Sequence, residues 1–433
     1  MRGGIAATVA MVALAVSGCG GDDGGGGGSE SAGQGLTDGA KKAPTLEQSK
    51  DATGTITMCA GKDTSGALAD AIKRFNAEHA DQGLKVKMLE LAADATEVRN
   101  QYIQRAQAKS GDCDVLQSDI IWIAEFAQQK WLLDLSDYAN ARKGEFIPST
   151  MSSFDYDGKL WGLPQVTGAG LLYRRTDQAP QEPATWQALY ADAAKHDGFA
   201  YQGAPYEGLT CNFIELTSAV GGRILSPDGK KAELDSPQNL KALQFMVDGM
   251  KDGAAVKAAR TYMEEPARLA FESGKATYMR NWSYAYALGK KAKKVKDVLA
   301  VSPLPPFEGG KRGGVLGGNG PVVSAFTKNP KAAIVWLDYW TSEQTLKRDA
   351  AEYALPPTMP GLYDDPAVKK TLPYAAALRE AVQAATSRPV SPVYSQISEA
   401  VYKNVNKALA GQASPQDALE TGQQQIEKAL STF

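Results

Sequence analysis

The chain has 433 residues, of which 43% are hydrophobic, so it is long enough to bury two cores rather than one. Its 47 basic and 49 acidic residues give a formal net charge of −2. A nucleic-acid-binding surface needs a basic excess that this composition lacks, so we exclude nucleic acid as a partner and expect a small, neutral ligand.

The first 50 residues carry features of export rather than of a fold. An apolar run, residues 5–16, is too short to span a bilayer and leads into small residues ahead of Cys19. This pattern resembles the bacterial lipobox and predicts a lipoprotein signal peptide over 1–18, with Cys19 as the lipidated first residue of the mature chain. The glycine-rich start of 19–50 predicts a flexible tether, which would hold the protein on the extracytoplasmic face of the cell membrane.

Three further cysteines follow Cys19, at Cys59, Cys113 and Cys211. An odd number in an exported chain allows at most one disulfide and leaves at least one thiol. The sequence leaves open which two of the three would pair.

Predicted strands and helices alternate after the tether. Strands are predicted at 55–60, 84–88 and 114–117, and the segments between them have the apolar periodicity of helices. This alternation is typical of a parallel, doubly wound α/β sheet.

Ligands of such sheets bind outside the carboxyl ends of the strands. Two loops are thereby singled out, one with Lys62, Asp63 and Thr64 and one with Asp119. A carboxylate in either loop can accept two sugar hydroxyls through charge-assisted hydrogen bonds. The alternative is that Asp63 and Asp119 cap the helices that follow, and the sequence leaves both interpretations open.

One stretch, residues 274–288, combines an Arg, an Asn, a Trp and three Tyr. A short strand predicted at 276–279 ends beside Arg280, Trp282 and Tyr284. Flat rings cover the C–H surfaces of a sugar, and polar groups bind its hydroxyls. Aromatic clusters are also typical of hydrophobic cores. The polar residues within this one favour a binding site.

The sequence contains no catalytic framework of the GxSxG, HExxH or CxxC kind. We therefore expect a binding protein with no cofactor and no metal. An exported glycosidase is the alternative, should Asp63, Asp119 and Glu207 converge as paired carboxylates.

Several segments together resemble the family 1 extracellular solute-binding proteins of ABC importers, most closely the trehalose/maltose-binding branch. They are GKDTSGALADAIKRFN, DVLQSDIIWIAEFAQQKWLLDLSDY, GLLYRRTD, TWQAL, YEGLTCNFIEL, MRNWSYAYAL and SRPVSPVYSQI. The resemblance implies a type II periplasmic-binding-protein fold, with two α/β lobes and a ligand cleft between them. We expect lobe I to comprise 51–176 plus 282–320 and lobe II to comprise 177–281 plus 321–433, with the first crossing near 175–183.

The resemblance also implies roles for single residues. Asp119 matches a carboxylate that bonds glucose hydroxyls, Trp282 and Tyr284 match an aromatic platform, and Arg388 matches an arginine that reaches the ligand from the second lobe.

Four further positions match backbone and polar contacts of the family. Gly318 and Asn319 match a backbone-contact loop, and Thr167 and Gly168 match a position where the family usually has Asp or Asn. Gly168 removes one hydroxyl acceptor, which weighs against trehalose as the specific ligand and allows a larger or differently linked glucoside.

A mechanism is implied as well. The lobes would close on an oligosaccharide such as trehalose or maltose, and the closed monomer would deliver it to the membrane subunits of an ABC permease. A second alternative is a sensor of the same fold that passes its signal to a membrane kinase.

Overall fold

The computed structural model describes residues 35–63, 65–92 and 95–432. The predicted signal peptide, Cys19 and Thr64 lie outside this part of the chain. The strands are β1 Gly54–Ala60, β2 Leu84–Glu90, β3 Val115–Asp119, β4 Asp155–Tyr156, β5 Lys159–Leu160, β6 Val166–Ala169, β7 Leu171–Arg175, β8 Phe199–Ala200, β9 Tyr278–Asn281, β10 Leu299–Pro303 and β11 Leu316–Val323.

The helices are α1 Ala67–Glu78, α2 Ala95–Gln107, α3 Ile123–Gln128, α4 Ser136–Ala139, α5 Pro148–Ser152, α6 Trp186–Ala193, α7 Glu207–Ala219, α8 Pro237–Lys251, α9 Glu264–Glu272, α10 Tyr284–Gly289, α11 Pro330–Trp340, α12 Glu343–Tyr353, α13 Pro366–Thr371, α14 Ala375–Ala384, α15 Tyr394–Leu409 and α16 Pro415–Leu430. Short 3-10 turns include Ile120–Trp122 directly after β3. Within the described ranges, no helix has both the length and the apolar character needed to cross a bilayer.

The first sheet has the strand order β2-β1-β3-β11-β6. β1 is parallel to both β2 and β3, which confirms the strand-helix alternation read from the sequence. β11 then joins antiparallel to β3 and to β6. Its apolar residues pack with α1, α3 and α11 into one core that includes Phe75, Phe126 and Trp336. This is the first lobe.

The second sheet has the order β10-β7-β9-β8, in which β7 is antiparallel to β10 and β9. A separate core, formed with α6, α7, α8, α15 and α16, includes Trp186, Phe213 and Val401. α7 is buried over almost its whole length, and its polar side chains Thr210, Asn212 and Thr217 form hydrogen bonds with other protein groups. The two-lobed α/β fold predicted from the sequence is therefore present.

The chain passes between the sheets earlier than the predicted range of 175–183. β6 ends at Ala169 in the first sheet, and β7 begins at Leu171 in the second, so the crossing lies at Gly170. The prediction was late because VTGAGLLYRR has the pattern of one continuous apolar strand, although it forms two strands in different sheets.

The later lobe boundaries also differ from the predicted ones. β10 pairs with β7 in the second sheet, although it falls in 282–320. α11 packs in the first core, although it falls in 321–433. The chain returns to the first sheet at β11, and Met359 and Leu362, which follow α12, still pack in the first core. A pattern of local periodicity does not reveal this return.

The predicted tether also ends sooner than Lys50. Thr37 is fully buried and bonds through its backbone and its hydroxyl to Asp157, at 2.8 Å each. Ala43 is buried in the first core. Residues 36–50 therefore pack against the first lobe, since polar residues of this segment find partners there.

Cys59 and Cys113 form a disulfide, with Cα atoms 5.6 Å apart, and Cys211 is a free, buried thiol. The disulfide joins β1 to Cys113, two residues before the start of β3. This decides the pairing that the sequence left open.

Candidate functional site

Asp119 is the last residue of β3, at the carboxyl edge of the first sheet. Its backbone lies opposite Asn319 of β11, whose side-chain Oδ1 accepts a hydrogen bond from Gln117 at 3.1 Å. Asp119 Oδ1 accepts from the backbone N–H of Ile121 at 3.1 Å, so the residue does cap the turn that follows. The capping interpretation of Asp119 is thus correct, although capping uses only one carboxylate oxygen.

Arg388 joins Asp119 to the second lobe. Its Nη2 donates to Asp119 Oδ1 and its Nη1 donates to Glu207 Oε1, both at 3.0 Å. The guanidinium is buried while both carboxylates are partly exposed. Burial acts to lower the pKa of Arg388, but the neighbouring negative charges outweigh it and hold that pKa well above its ordinary value.

Glu207 is the first residue of α7 and anchors Arg388 to the second lobe. Besides Arg388, its carboxylate accepts hydrogen bonds from the hydroxyls of Tyr394, at 2.6 Å, and Ser398. Glu207 therefore holds Arg388 in position, and both of its carboxylate oxygens accept from protein donors. Asp119 and Glu207, two of the carboxylates considered for a glycosidase, both accept hydrogen bonds from the Arg388 guanidinium.

Trp282 follows β9 and presents a partly buried ring. The guanidinium carbon of Arg280 lies 4.0 Å from the ring centroid, and the ring also packs against Gly317 of β11. The Trp282 carbonyl accepts a hydrogen bond from the Tyr173 hydroxyl at 2.7 Å. Trp282 therefore follows a strand of the second lobe, and the edge of its ring contacts the first lobe at Gly317.

A backbone strip of β6 and β11 lies beside this ring. Gly168 pairs with Gly317, and Thr167 pairs with Gly318 and donates its hydroxyl to the Gly317 carbonyl at 3.3 Å. Gly318 has φ 145° and a Cβ there would stand 2.4 Å from the Val166 carbonyl, so only glycine fits. A Cβ at Gly168 would meet no described atom within 4 Å, so this position opens onto free space.

Asp63 serves as the cap of α1. Its two carboxylate oxygens accept from the backbone N–H groups of Ser65 and Gly66 and of Leu68 and Ala69, at 2.9–3.4 Å. Burial acts to raise the pKa of this carboxyl, but these hydrogen bonds outweigh it and lower the pKa. The capping interpretation holds for Asp63, because all these donors are its own loop and helix.

Two other predicted residues lie apart from the Asp119 bridge. Lys62 is exposed after β1, at the same edge of the sheet as Asp119. Tyr284 is directed to α9, where its hydroxyl donates to Glu265 at 2.8 Å. No hydrogen bond recorded for the described part of the chain links either side chain to Asp119, Arg388 or Trp282.

A buried ion pair that was not predicted from the sequence lies beneath Trp282, between Arg280 and Glu215. Burial raises the pKa of Glu215, and the charge and hydrogen bonds of Arg280 lower it in part. Glu215 stands alone as a carboxylate in the apolar part of α7. Such an isolated charge in a buried helix indicates a partner, and Arg280 is the buried cation in the aromatic stretch.

A family model described as a bacterial extracellular solute-binding protein matches residues 70–376. The chain belongs to this family. A relative described as a probable ABC transporter-binding protein, from Deinococcus radiodurans, is 34% identical over 396 residues and spans 86% of this chain and 93% of its own. The predicted family resemblance is confirmed, as is the prediction of a binding protein rather than an enzyme.

Solved structures give the same result for the fold of this solute-binding protein. The maltose-bound MalE3 of T. maritima is 33% identical, with a TM-score of 0.78, and the match covers 86% of this chain and 99% of that one. The GacH receptor of Streptomyces glaucescens, solved unliganded and with acarbose, is 23% identical, with a TM-score of 0.77 over 88% of this chain and 99% of that one. At that identity the second likeness shows the fold alone.

Proposed function

We propose that this solute-binding protein is the lipid-anchored receptor of an ABC sugar importer and captures an α-glucoside between its lobes. The observation that carries the proposal is that an aromatic ring of the second lobe and a carboxylate of the first lobe both lie beside β11. Trp282 packs on Gly317, and Asp119 pairs with Asn319. Gly317 and Asn319 are two residues apart on β11, which corresponds to roughly 7 Å along the strand. Arg388 brings a cation to Asp119 from the second lobe.

Each of these groups would contact a different part of the sugar. Trp282 supplies an apolar face for the C–H surface of a sugar ring. Asp119 supplies acceptors for hydroxyls, and Arg388 supplies donors. Asn319 and the glycine strip of β11 bring backbone groups close to the ligand. Closure of the lobes would exclude water from these groups and strengthen each hydrogen bond.

Two relatives support the choice of ligand and partner. MalE3 of T. maritima was solved with maltose, and the protein of Deinococcus radiodurans is described as a probable ABC transporter-binding protein. By analogy, maltose and related α-glucosides are the first ligands to test here. The open space at Gly168 favours a ligand that is bulkier at this point than the ligands of relatives with Asp or Asn there.

Calorimetric titration of the purified protein with trehalose, maltose, sucrose and longer α-glucosides tests the function. We expect one sugar to bind tightly without being hydrolysed. In Trp282→Ala the affinity for that sugar should fall about 30-fold or more, as expected for loss of a central aromatic contact. Trp131→Ala, which removes a partly buried ring packed on Phe126 in the first core, is the matched control and should leave the affinity unchanged.

The titration also separates the alternatives. Release of reducing sugar would indicate a glycosidase. If no sugar of the panel bound, the α-glucoside assignment would fall and other oligosaccharides would be screened. Equal affinity in the wild type and in Trp282→Ala would remove Trp282 from the site.

The lipid anchor has its own test, which uses the thiols. Cys59 and Cys113 are paired. Among the described residues, Cys211 is therefore the one free thiol that unfolding without reductant would expose. If Cys19 carries lipid through its sulfur, thiol titration in denaturant gives one thiol per chain. Two thiols per chain would show that Cys19 is unmodified and would remove the anchor.

A further inference from the structure

Arg280 and Glu215 form an ion pair that is almost completely buried beneath the Trp282 ring. Their side chains are 0% and 1% exposed. Arg280 Nε donates to both Glu215 oxygens, at 3.1 Å and 2.9 Å, and its Nη2 donates to Oε1. The two groups belong to β9 and α7, so the pair ties the strand that ends at Trp282 to the central helix of the second lobe.

Neighbouring amides fix the orientation of this pair. Arg280 Nη1 donates to Gln202 Oε1 at 3.1 Å, and Gln202 Nε2 donates back to the Arg280 carbonyl at 3.1 Å. Asn212, one turn before Glu215 on α7, donates to the same Gln202 Oε1 at 3.2 Å. The guanidinium therefore has its donors directed at fixed acceptors and cannot rotate without breaking several bonds.

The guanidinium lies against the indole of Trp282, 4.0 Å from the ring centroid. A cation at this distance is attracted to the π face. Gly317 of the first sheet lies on another side of the ring, where a Cβ would be 3.1 Å from Cζ3. The ring thus rests between a fixed cation of the second lobe and a bare backbone of the first.

The same ion pair lies against the crossing between the lobes. A Cβ at Gly170 would stand 2.1 Å from Glu215 Oε1 and 2.8 Å from Arg280 Nε. Gly170 has no left-handed φ, so space rather than backbone conformation requires glycine there. The pair therefore touches both the aromatic ring and the chain segment that joins the two sheets.

We propose that Arg280 and Glu215 are positioning residues, which hold the Trp282 ring at the angle that sugar binding needs and tie it to the crossing at Gly170. This inference rests on the proposed function, because it takes Trp282 as a sugar-binding surface. A buried ion pair is not required for folding, since well-packed apolar residues of similar volume are often as stable or more so. An apolar pair would fill the space and would not orient the ring.

The test replaces both charges at once, as Arg280→Met with Glu215→Leu, so that neither is left unpaired. We expect a melting temperature at or above that of the wild type and a sugar affinity at least tenfold lower. A readout without sugar comes from 5-fluorotryptophan labelling of the seven tryptophans, with the Trp282 resonance assigned by its loss in Trp282→Phe. In the double variant this resonance should shift or broaden.

Two controls isolate the effect. Arg99→Met with Glu125→Leu removes an ion pair of the first lobe, whose side chains are about one-fifth exposed, and should change neither the affinity nor the Trp282 resonance. In a Trp282→Ala background, replacement of Arg280 and Glu215 should cause no further loss of affinity, because the ring through which they act is absent.

Wild-type affinity and an unshifted Trp282 resonance in the stable double variant would overturn the inference. Should that variant fail to fold, Arg280→Lys retains the charge but not the flat guanidinium, and the same tenfold loss and shifted resonance are expected. Wild-type values in Arg280→Lys would then overturn it. If the wild type bound no sugar at all, the proposed function would fail, and the fluorine resonance would still decide whether the pair positions the ring.

Discussion

Arg388 donates a hydrogen bond from Nη2 to Oδ1 of Asp119 at 3.0 Å, although the two residues stand 269 positions apart in the chain. Asp119 belongs to the first sheet, whereas Arg388 is fixed by Glu207 of the second lobe. This one contact therefore spans the boundary between the lobes at the site proposed for the sugar. The backbone N–H of Ile121 and Nη2 of Arg388 both donate to Oδ1 of Asp119, and neither donates to Oδ2.

The first prediction concerns the two roles of Asp119. In Asp119→Asn the amide oxygen still accepts from Ile121, so the cap is retained while the negative charge is lost. We expect sugar affinity to fall at least tenfold and the free energy of unfolding to change by about 1 kcal/mol or less. Titration calorimetry and denaturant unfolding measure the two. A large loss of stability at constant affinity would show that the Asp119 charge stabilises the buried Arg388 and does not bind the sugar.

The second prediction uses the contrast between two glycines of the strip. Gly168→Asp adds a carboxylate where a Cβ meets open space, so the variant should fold and gain affinity for sugars with a hydroxyl at that position. Gly318→Ala places its Cβ 2.4 Å from the Val166 carbonyl at φ 145°, so it should lose stability by about 1–3 kcal/mol. Thermal unfolding and the sugar panel measure both. An unchanged sugar preference in Gly168→Asp would place that position outside the cleft.

The third prediction concerns pH and Asp349 of α12. This carboxyl is 1% exposed, and burial raises its pKa from 3.8 to about 7, with one oxygen accepting from Gln165 Nε2 at 2.8 Å. Its folded pKa is raised, so the stability it contributes is fully present below pH 4 and is lost as the pH rises through 7. Asp349→Asn should remove this dependence and stabilise the protein at pH 8 by about 2–4 kcal/mol.

Denaturant unfolding of the wild type and Asp349→Asn from pH 4 to pH 8 measures this effect. Asp38→Asn, an exposed carboxyl that contacts Lys159, is the control. Parallel stability curves for wild type and Asp349→Asn would mean that Asp349 keeps an ordinary pKa.

The fourth prediction concerns the disulfide. The bond between Cys59 and Cys113 closes a loop with a sequence separation of 54, for which the entropy model gives about 4 kcal/mol. Replacement of both by alanine should lower the free energy of unfolding by about 2–4 kcal/mol and leave sugar affinity unchanged in the folded protein. Reductant should destabilise the wild type and not the variant. Equal stability with and without reductant would show that the bond does not form.

The amino-acid sequence by itself determined the local elements of the first sheet. The strands predicted at 55–60, 84–88 and 114–117 are β1, β2 and β3, because short apolar runs between amphipathic helices leave few other ways to bury those residues. The sequence also predicted the family and the two-lobed fold, since motifs such as MRNWSYAYAL are contiguous in the chain. Candidate ligands at Asp119, Trp282 and Arg388 came from the same contiguous patterns, and their role stays a prediction.

Only the tertiary structure decided which partner each of these groups has. Asp63 and Asp119 both lie at the carboxyl end of a strand of the first sheet, yet the first is satisfied by its own loop and helix and the second also contacts Arg388. The pairing of Cys59 with Cys113 and of Arg280 with Glu215 likewise depends on residues 54 and 65 positions apart. Local periodicity specifies which face of an element is buried. It carries no information on which distant element covers that face, because sheet order and the return of the chain at β11 bring those partners together.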